Sequence, residues 1–224
     1  MNALNHIAFI MDGNGRWGLK KKKSRNFGHY AGVKTVQKIV EASISFKIPI
    51  VTFYVFSSEN WKRPKSEINY LFSLINIYFK KEINNIIKNK IKIIISGRLK
   101  NISIKIRKVL KTAEKKTKNN NRLVINLAIN YGSKNEIIDA VKKINFNSQK
   151  ITEDRIDKNL YSDLVAPDIL IRTGGKRRLS NFMLWQVAYT EIFFLDKLWP
   201  DFTKIDLRKI INKYHKIKRN FGKI

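Results

Sequence analysis

Apolar residues in this chain come in blocks. Six near-continuous runs stand out: "HIAFIM" from His6, "VTFYVF" from Val51, "IKIIIS" from Ile91, "LVINLAIN" from Leu123, "DILIRT" from Asp168 and "EIFFL" from Glu191. Short runs of this kind, rich in β-branched side chains, read as strands buried on both faces. Longer stretches with helical spacing lie between them. A helix is predicted from about Gly28 to Phe46, with Val36, Ile39, Val40 and Ile44 on one side. Another follows Pro64, with a stripe of Ile68, Leu71, Phe72, Ile75, Phe79, Ile83 and Ile86. A third carries Ile106, Val109, Leu110 and Ala113. A fourth is opened by Ser133, with Glu136 placed as in a capping box. "LSNFMLWQVAY" after Arg178 reads as a further helix, and Thr203 caps a terminal one bearing Leu207, Ile210, Ile211, Tyr214 and Ile217. The alternation predicts an α/β protein, one domain over residues 1–224, with a mostly parallel central sheet flanked by helices.

Composition narrows this picture. At 224 residues and 43% hydrophobic, the chain has enough apolar material for one substantial core. It has no cysteine, which excludes disulfides and zinc–thiolate sites. The first strand begins too soon for a signal peptide ahead of it, and no run approaches the ~20 apolar residues of a spanning helix. A soluble, cytoplasmic protein is expected. The net charge of +29 invites a nucleic-acid reading. The lysines, however, are spread over every segment, where a nucleic-acid footprint is clustered among exposed aromatics. No specific nucleic-acid partner is expected.

The candidate chemistry sits where the strands stop: "MDGNGR", "FSSENW", "SGR", "NYGS" and "RTGG". In an open parallel sheet those ends share one edge, and ligands bind there. In the first, Gly13 and Gly15 let backbone N–H groups approach an anion, and Arg16 can grip phosphate oxygens in a bidentate manner. Asp12 would repel such a ligand unless a divalent cation lay between them, and Mg2+ fits that place. The helix start near Gly28 and His29 turns its positive end to the same anion. A second cradle is formed by Arg172, the two glycines after it, Arg178 and Ser180, with Lys176 and Arg177 adding charge. "FSSENWKRP" reads either as a helix cap followed by a core tryptophan or as a lid. There is no P-loop, no GxGxxG and no serine-hydrolase order, so nucleotide binding and nucleophilic-serine chemistry are disfavoured.

"HIAFIMDGNGRW", "RNFGHYAG", "FSSENWKRP", "NLAINYG" and "RTGGKRRLSNFMLWQVAYTEIFF", in this order, resemble the cis-prenyltransferase family, most nearly its bacterial undecaprenyl diphosphate synthase branch. The resemblance runs from His6 to about Phe221. It implies condensation of isopentenyl diphosphate units onto an allylic diphosphate, usually farnesyl diphosphate, with Z double bonds, giving a long polyprenyl diphosphate for cell-wall synthesis. It implies Mg2+ at Asp12 with help from Glu191. Gly13, Asn14, Gly15, Arg16, Trp17, Arg25 and His29 would hold the allylic substrate. Arg172, Arg178, Leu179 and Ser180 would hold isopentenyl diphosphate. Asn60 matches the proton acceptor, and Ser57, Ser58, Glu59, Trp61 and Arg63 shape a closing loop.

The resemblance further implies an apolar tunnel, a homodimer through the C-terminal half, and transient contact with a membrane surface as the product leaves. The chain departs from the family after "RTGG", where an acid and a histidine are usual and Lys176 and Arg177 stand instead. Arginine cannot replace a histidine as a metal ligand, so the departure bears on magnesium. A non-catalytic partner of a prenyltransferase is the remaining alternative, and the intact "DGNGR" and "RTGG" argue against it.

Overall fold

Each of the six apolar runs forms a strand, and helices separate most of them. The computed structural model describes residues 2–146 and 150–219; the last positions of the resembling stretch, Asn220 and Phe221, lie outside them. The strands are β1 (His6–Ile10), β2 (Ile50–Ser57), β3 (Ile91–Ser96), β4 (Leu123–Tyr131), β5 (Ile169–Arg172) and β6 (Glu191–Phe194). They form one parallel sheet in the order β3-β4-β2-β1-β5-β6. From β1 the order runs towards β2 on one side and β5 on the other. The carboxyl end of β1 is therefore a switch point, the place where open α/β sheets bind ligands. Asp12 lies just beyond that end.

The described residues fall into two compact units. The first holds residues 2–51, 166–178 and 186–219; the second holds 52–146, 150–165 and 179–185. The division falls inside β2.

In the first unit, β1 is buried along all five residues, as an inner parallel strand requires. Helices α1 (Asn14–Lys20) and α2 (Arg25–Ser45) pack together through Gly18 and Gly28, where a side chain on either would strike the other helix or the turn between them. Trp199 stacks on Phe202 at 5.6 Å, and both meet Phe9 edge-on. The terminal helix α7 (Lys204–Lys216) is capped by Thr203 with Asp206 completing a capping box, and it buries Leu207, Ile210, Ile211 and Tyr214.

In the second unit, β3 and β4 run parallel, Ile93 opposite Ile125 and Ile95 opposite Leu127. Helix α3 (Lys65–Lys88) buries Ile68, Phe72, Phe79 and Ile86, while Leu71 and Ile75 on the same stripe are only half-buried. Helices α4 (Ile104–Thr117), α5 (Ser133–Phe146) and α6 (Glu153–Asn159) complete it.

Four expectations are corrected. Helix α1 occupies a stretch for which no helix was predicted, and α2 starts at Arg25 behind a Ser24 cap, not near Gly28. The seven-residue α6 was not foreseen. Ser133 and Glu136 are spent differently from a capping box: the Ser133 N–H donates to the Asn181 carbonyl, and its hydroxyl accepts from the Leu184 N–H. The Glu136 carboxylate takes the Tyr131 hydroxyl and the Tyr161 N–H. The segment after Arg178 is a series of turns, with Ser180, Asn181 and Met183 in the left-handed region. Asn181 explains that outcome: its carbonyl and side-chain oxygen receive the Ser133 and Lys134 N–H groups, capping α5 from outside.

Candidate active site

The first unit gathers the phosphate-binding candidates around one carboxylate. Asp12 Oδ1 accepts from Arg16 Nη2 at 3.1 Å and Oδ2 from Arg172 Nη2 at 2.9 Å. Each arginine is also tied to backbone: Arg16 donates to the Gly174 carbonyl at 2.7 Å, and Arg172 donates to the Arg178 carbonyl. The Asp12 carbonyl in turn accepts from the Thr173 hydroxyl and the Trp199 N–H. Gly174 is required here twice over. Its φ is +90°, and a Cβ would lie 2.6 Å from Arg16 Nη2. Arg172 is 3% exposed, so its charge is one that must stay paired.

Arg25 opens α2 with its guanidinium over Gly15, where a Cβ would lie 2.7 Å from Cζ. His29 is buried one turn on. Asn14 points inward and donates to the Met11 carbonyl at 3.1 Å. Trp17 stacks on Phe27 and donates to Asp201. Arg178 is exposed at the end of this unit, as are Lys176 and Arg177.

Glu191 is not brought to Asp12 within the chain. It opens β6 in register with Ile169, whereas Arg172, level with Ile10, is in register with Phe194. That is about 10 Å back along the strands, and the Glu191 carboxylate lies 4.0 Å from Arg219 Nε. Among the described residues no group of three His, Cys, Asp or Glu side chains could cage a metal. One carboxylate fits a magnesium ion that arrives with a diphosphate and is held largely by phosphate oxygens. It does not fit a metal bound by protein alone.

The second unit carries the loop candidates. Ser57 caps the single turn Ser58–Lys62, and the Ser57 N–H donates to Asn60 Oδ1 at 3.2 Å. Glu59 accepts from Asn181 Nδ2 at 2.8 Å. Partial burial pushes the Glu59 carboxyl up, but hydrogen bonds from Asn181, its own backbone and the hydroxyls of Ser57 and Ser58 outweigh it and leave the group below its ordinary range. Trp61 packs against Phe56 and Phe72 at 5.2 and 5.7 Å and donates its Nε1–H to Asn130 Oδ1 at 2.8 Å. Trp61 is half-buried. Arg63 pairs with Glu67 one helical turn on. Leu179 and Ser180 begin the turn segment, where the Ser180 carbonyl accepts from the Tyr54 hydroxyl.

Thr173, the Gly174 carbonyl, Asn130 and Asn181 were not singled out from the sequence. Thr173, Gly174 and Asn130 lie within the strand-end motifs, so their location was signalled while their partners were not.

Residues 10–222 match the family described as "Putative undecaprenyl diphosphate synthase". The chain belongs to that family. It is 45% identical to an isoprenyl transferase of Fusobacterium nucleatum over 99% of this chain and 96% of the relative. Its fold is similar to the crystal structure of a probable undecaprenyl diphosphate synthase from Campylobacter jejuni, with a TM-score of 0.86, 37% identity and full coverage of both chains. A lavandulyl diphosphate synthase from Lavandula x intermedia, crystallised with dimethylallyl diphosphate, superposes with a TM-score of 0.93 at 27% identity over 98% of each chain. The chain is accordingly a prenyltransferase of isoprenoid biosynthesis, as the resemblance implied. Among the described residues no helix is long and apolar enough to cross a membrane.

Proposed function

We propose that the protein extends an allylic diphosphate, farnesyl diphosphate by preference, with successive isopentenyl diphosphate units through Z double bonds, and that the product is undecaprenyl diphosphate. The observation that carries this reading is Asp12, fixed at the switch point between two arginines. Arg16 and Arg25 take the allylic diphosphate; Arg172, Arg178 and Ser180 take the isopentenyl diphosphate. In each cycle the allylic C–O bond breaks and diphosphate departs with the electron pair. The isopentenyl alkene forms the new C–C bond and then loses one proton. Guanidinium groups already held in place stabilise the charge that gathers on the leaving group without reorganising. Asp12 would hold Mg2+, which when bound neutralises part of that charge. Asn60 Oδ1 already receives the Ser57 N–H, which favours the departing diphosphate, the stronger base, as proton acceptor.

The growing chain needs apolar space. Ile93 and Ile125 are buried, but their successors on the same sheet face, Ile95 and Leu127, are only half-buried, as are Leu71 and Ile75 on α3. Ile129 and Tyr131, farther along β4, are buried again, so the half-burial is local to Ile95, Leu127, Leu71 and Ile75, which supports an apolar slot lined by these residues. Exposed Tyr189, Ile192 and Phe194, on and beside the edge strand β6, offer a homodimer its surface.

The test is incubation with farnesyl diphosphate, labelled isopentenyl diphosphate and Mg2+, with the products sized. Eleven-unit products are expected. Leu127→Trp should shorten them while the first condensation survives. Products of unchanged length in Leu127→Trp and Leu71→Trp would place the slot elsewhere.

A further inference from the structure

Between Asp12 and Glu41 the chain holds eight lysines and arginines and not one carboxylate. Four of the lysines, Lys20 to Lys23, are consecutive and exposed at the turn joining α1 to α2. Large apolar side chains stand open on the same two helices: Leu19 is 55% exposed, Phe27 42% and Tyr30 46%. Phe27, Tyr30 and Lys34 follow one another at helical spacing on α2, so they share a face. The Lys34 ammonium lies 4.8 Å from the centre of the Tyr30 ring, and that of Lys21 lies 5.7 Å from the Trp17 ring, which stacks on Phe27. The Trp17 indole donates to the Asp201 carboxylate at 2.7 Å.

We propose that this α1–α2 face docks on an anionic lipid bilayer. Lysines interspersed with exposed leucine and aromatic rings are what an interfacial surface needs: cations for the headgroups and apolar tips for the acyl boundary. Single-stranded nucleic acid would instead require open aromatic faces for bases. Here Trp17 and Phe27 cover each other, and Leu19 has no ring to offer. The face also adjoins the allylic cradle, since Arg25 begins α2 directly after the lysine run. Its purpose, delivery of an apolar product into lipid, rests on the proposed function; the docking itself needs no catalysis.

The purified protein, without substrates, is co-sedimented with vesicles of 30% phosphatidylglycerol in phosphatidylcholine and with vesicles of phosphatidylcholine alone. Binding is expected to the anionic vesicles, weakening as salt rises. Replacing Lys20, Lys21, Lys22 and Lys23 with glutamine should lower the affinity by about fivefold per lysine. Replacing Lys105, Lys108, Lys115 and Lys116 on α4, an equal loss of charge elsewhere, should leave it nearly unchanged. Leu19→Ser with Tyr30→Ser should weaken the binding that survives at high salt. Equal losses in the two lysine variants would reduce the effect to net charge and overturn the proposal. So would indifference to lipid charge, or tighter binding to a single-stranded oligonucleotide of matched charge that the Lys20–Lys23 variant loses. Docking by a protein that fails to elongate farnesyl diphosphate would overturn the proposed function and leave this surface standing.

Discussion

Each unit of the molecule contains a carboxylate gripped by arginine, and the two are built to opposite ends. In the second unit Asp139 receives Arg98 through both Nε and Nη2, at 2.7 and 2.6 Å, and the Tyr161 hydroxyl at 2.5 Å. One acid meets one base and one neutral phenol, so the set is closed and electrically balanced. The Arg98 hydrogen bonds hold the Asp139 carboxyl below its ordinary range, while burial pushes the Tyr161 phenol up. Asn130 ties this cluster to the loop: its Nδ2 donates to the Arg98 carbonyl at 2.5 Å while its Oδ1 holds Trp61. In the first unit the single Asp12 carboxylate accepts from two guanidinium groups, Arg16 and Arg172, one acid against two bases. Pairing alone does not mark a functional site; the imbalance does. A balanced cluster anchors, and an unbalanced one waits for an anion.

The largest effect should follow from Asp12→Asn. Turnover should fall by at least a hundredfold, about 2.7 kcal/mol of barrier, while affinity for the allylic diphosphate holds or rises, because a negative charge has gone. Single-turnover rates and equilibrium dialysis separate the two. Retention of more than about a tenth of kcat, a deficit of only ~1.4 kcal/mol, would remove Asp12 from the chemistry.

Next come the cradles. Arg172→Ala should raise the Michaelis constant for isopentenyl diphosphate, and Arg25→Ala that for the allylic substrate, each by the ~1.5–3 kcal/mol of a charge-assisted hydrogen bond. If both variants shifted both constants equally, the division into two cradles would fail. Arg172→Ala should also destabilise the fold, since this guanidinium is buried.

Asn130→Gly tests the anchoring cluster. Asn130 has φ +49°, which glycine accepts, so the change removes two hydrogen bonds without adding strain. A loss of ~2 kcal/mol is expected in denaturant unfolding, at ~1 kcal/mol per bond. The tryptophan emission should shift as the Trp61 indole loses its partner. Asn130→Asp keeps the acceptor for Trp61 and should restore the emission but not all of the stability.

Asp139→Asn should have the smallest effect, about 1–2 kcal/mol, discounted because the Arg98 guanidinium is partly exposed, with kcat within a few-fold of wild type. The folded-state pKa of Asp139 is depressed. Its contribution is therefore complete above the unfolded value near ~3.9 and is lost as pH falls through the lower folded value. The stability gap between wild type and Asp139→Asn should close on acidification below about pH 4. A gap that persisted there would show that charge is not what Asp139 supplies.

The strands were legible because burial on both faces leaves an unbroken apolar run, and the Asp12, Arg16 and Arg172 constellation was legible because it lies where those runs stop. Helix α1 was not. Two glycines in seven residues argue against a helix in isolation, and it forms because Gly18 and Gly28 admit close packing against α2. Helix α6 did show its signals, Thr152 as cap with Glu153 and Asp154 after it, but seven residues give little periodicity. The segment after Arg178 has the apolar content of a helix and becomes turns because Asn181 serves α5. Asn130 could be placed at a strand end, yet nothing in the sequence says that its amide reaches Trp61, 69 positions earlier. Short-range pattern determines the elements, while single-atom partners at long range determine the site.

The central position of β1 sets a timetable for synthesis. Asp12 leaves the ribosome well before its buried partner Arg172, which follows 160 positions later. At ordinary translation rates the wait is roughly 8 to 30 s. Throughout it, Ile7, Ala8, Phe9 and Ile10 lack the β5 strand with which they are in register. The contiguous body of the second unit, residues 52–165, is made in that interval. An apolar strand kept waiting this long is a natural client for a holding chaperone, and the nascent chain is most exposed to aggregation before Ile169 emerges.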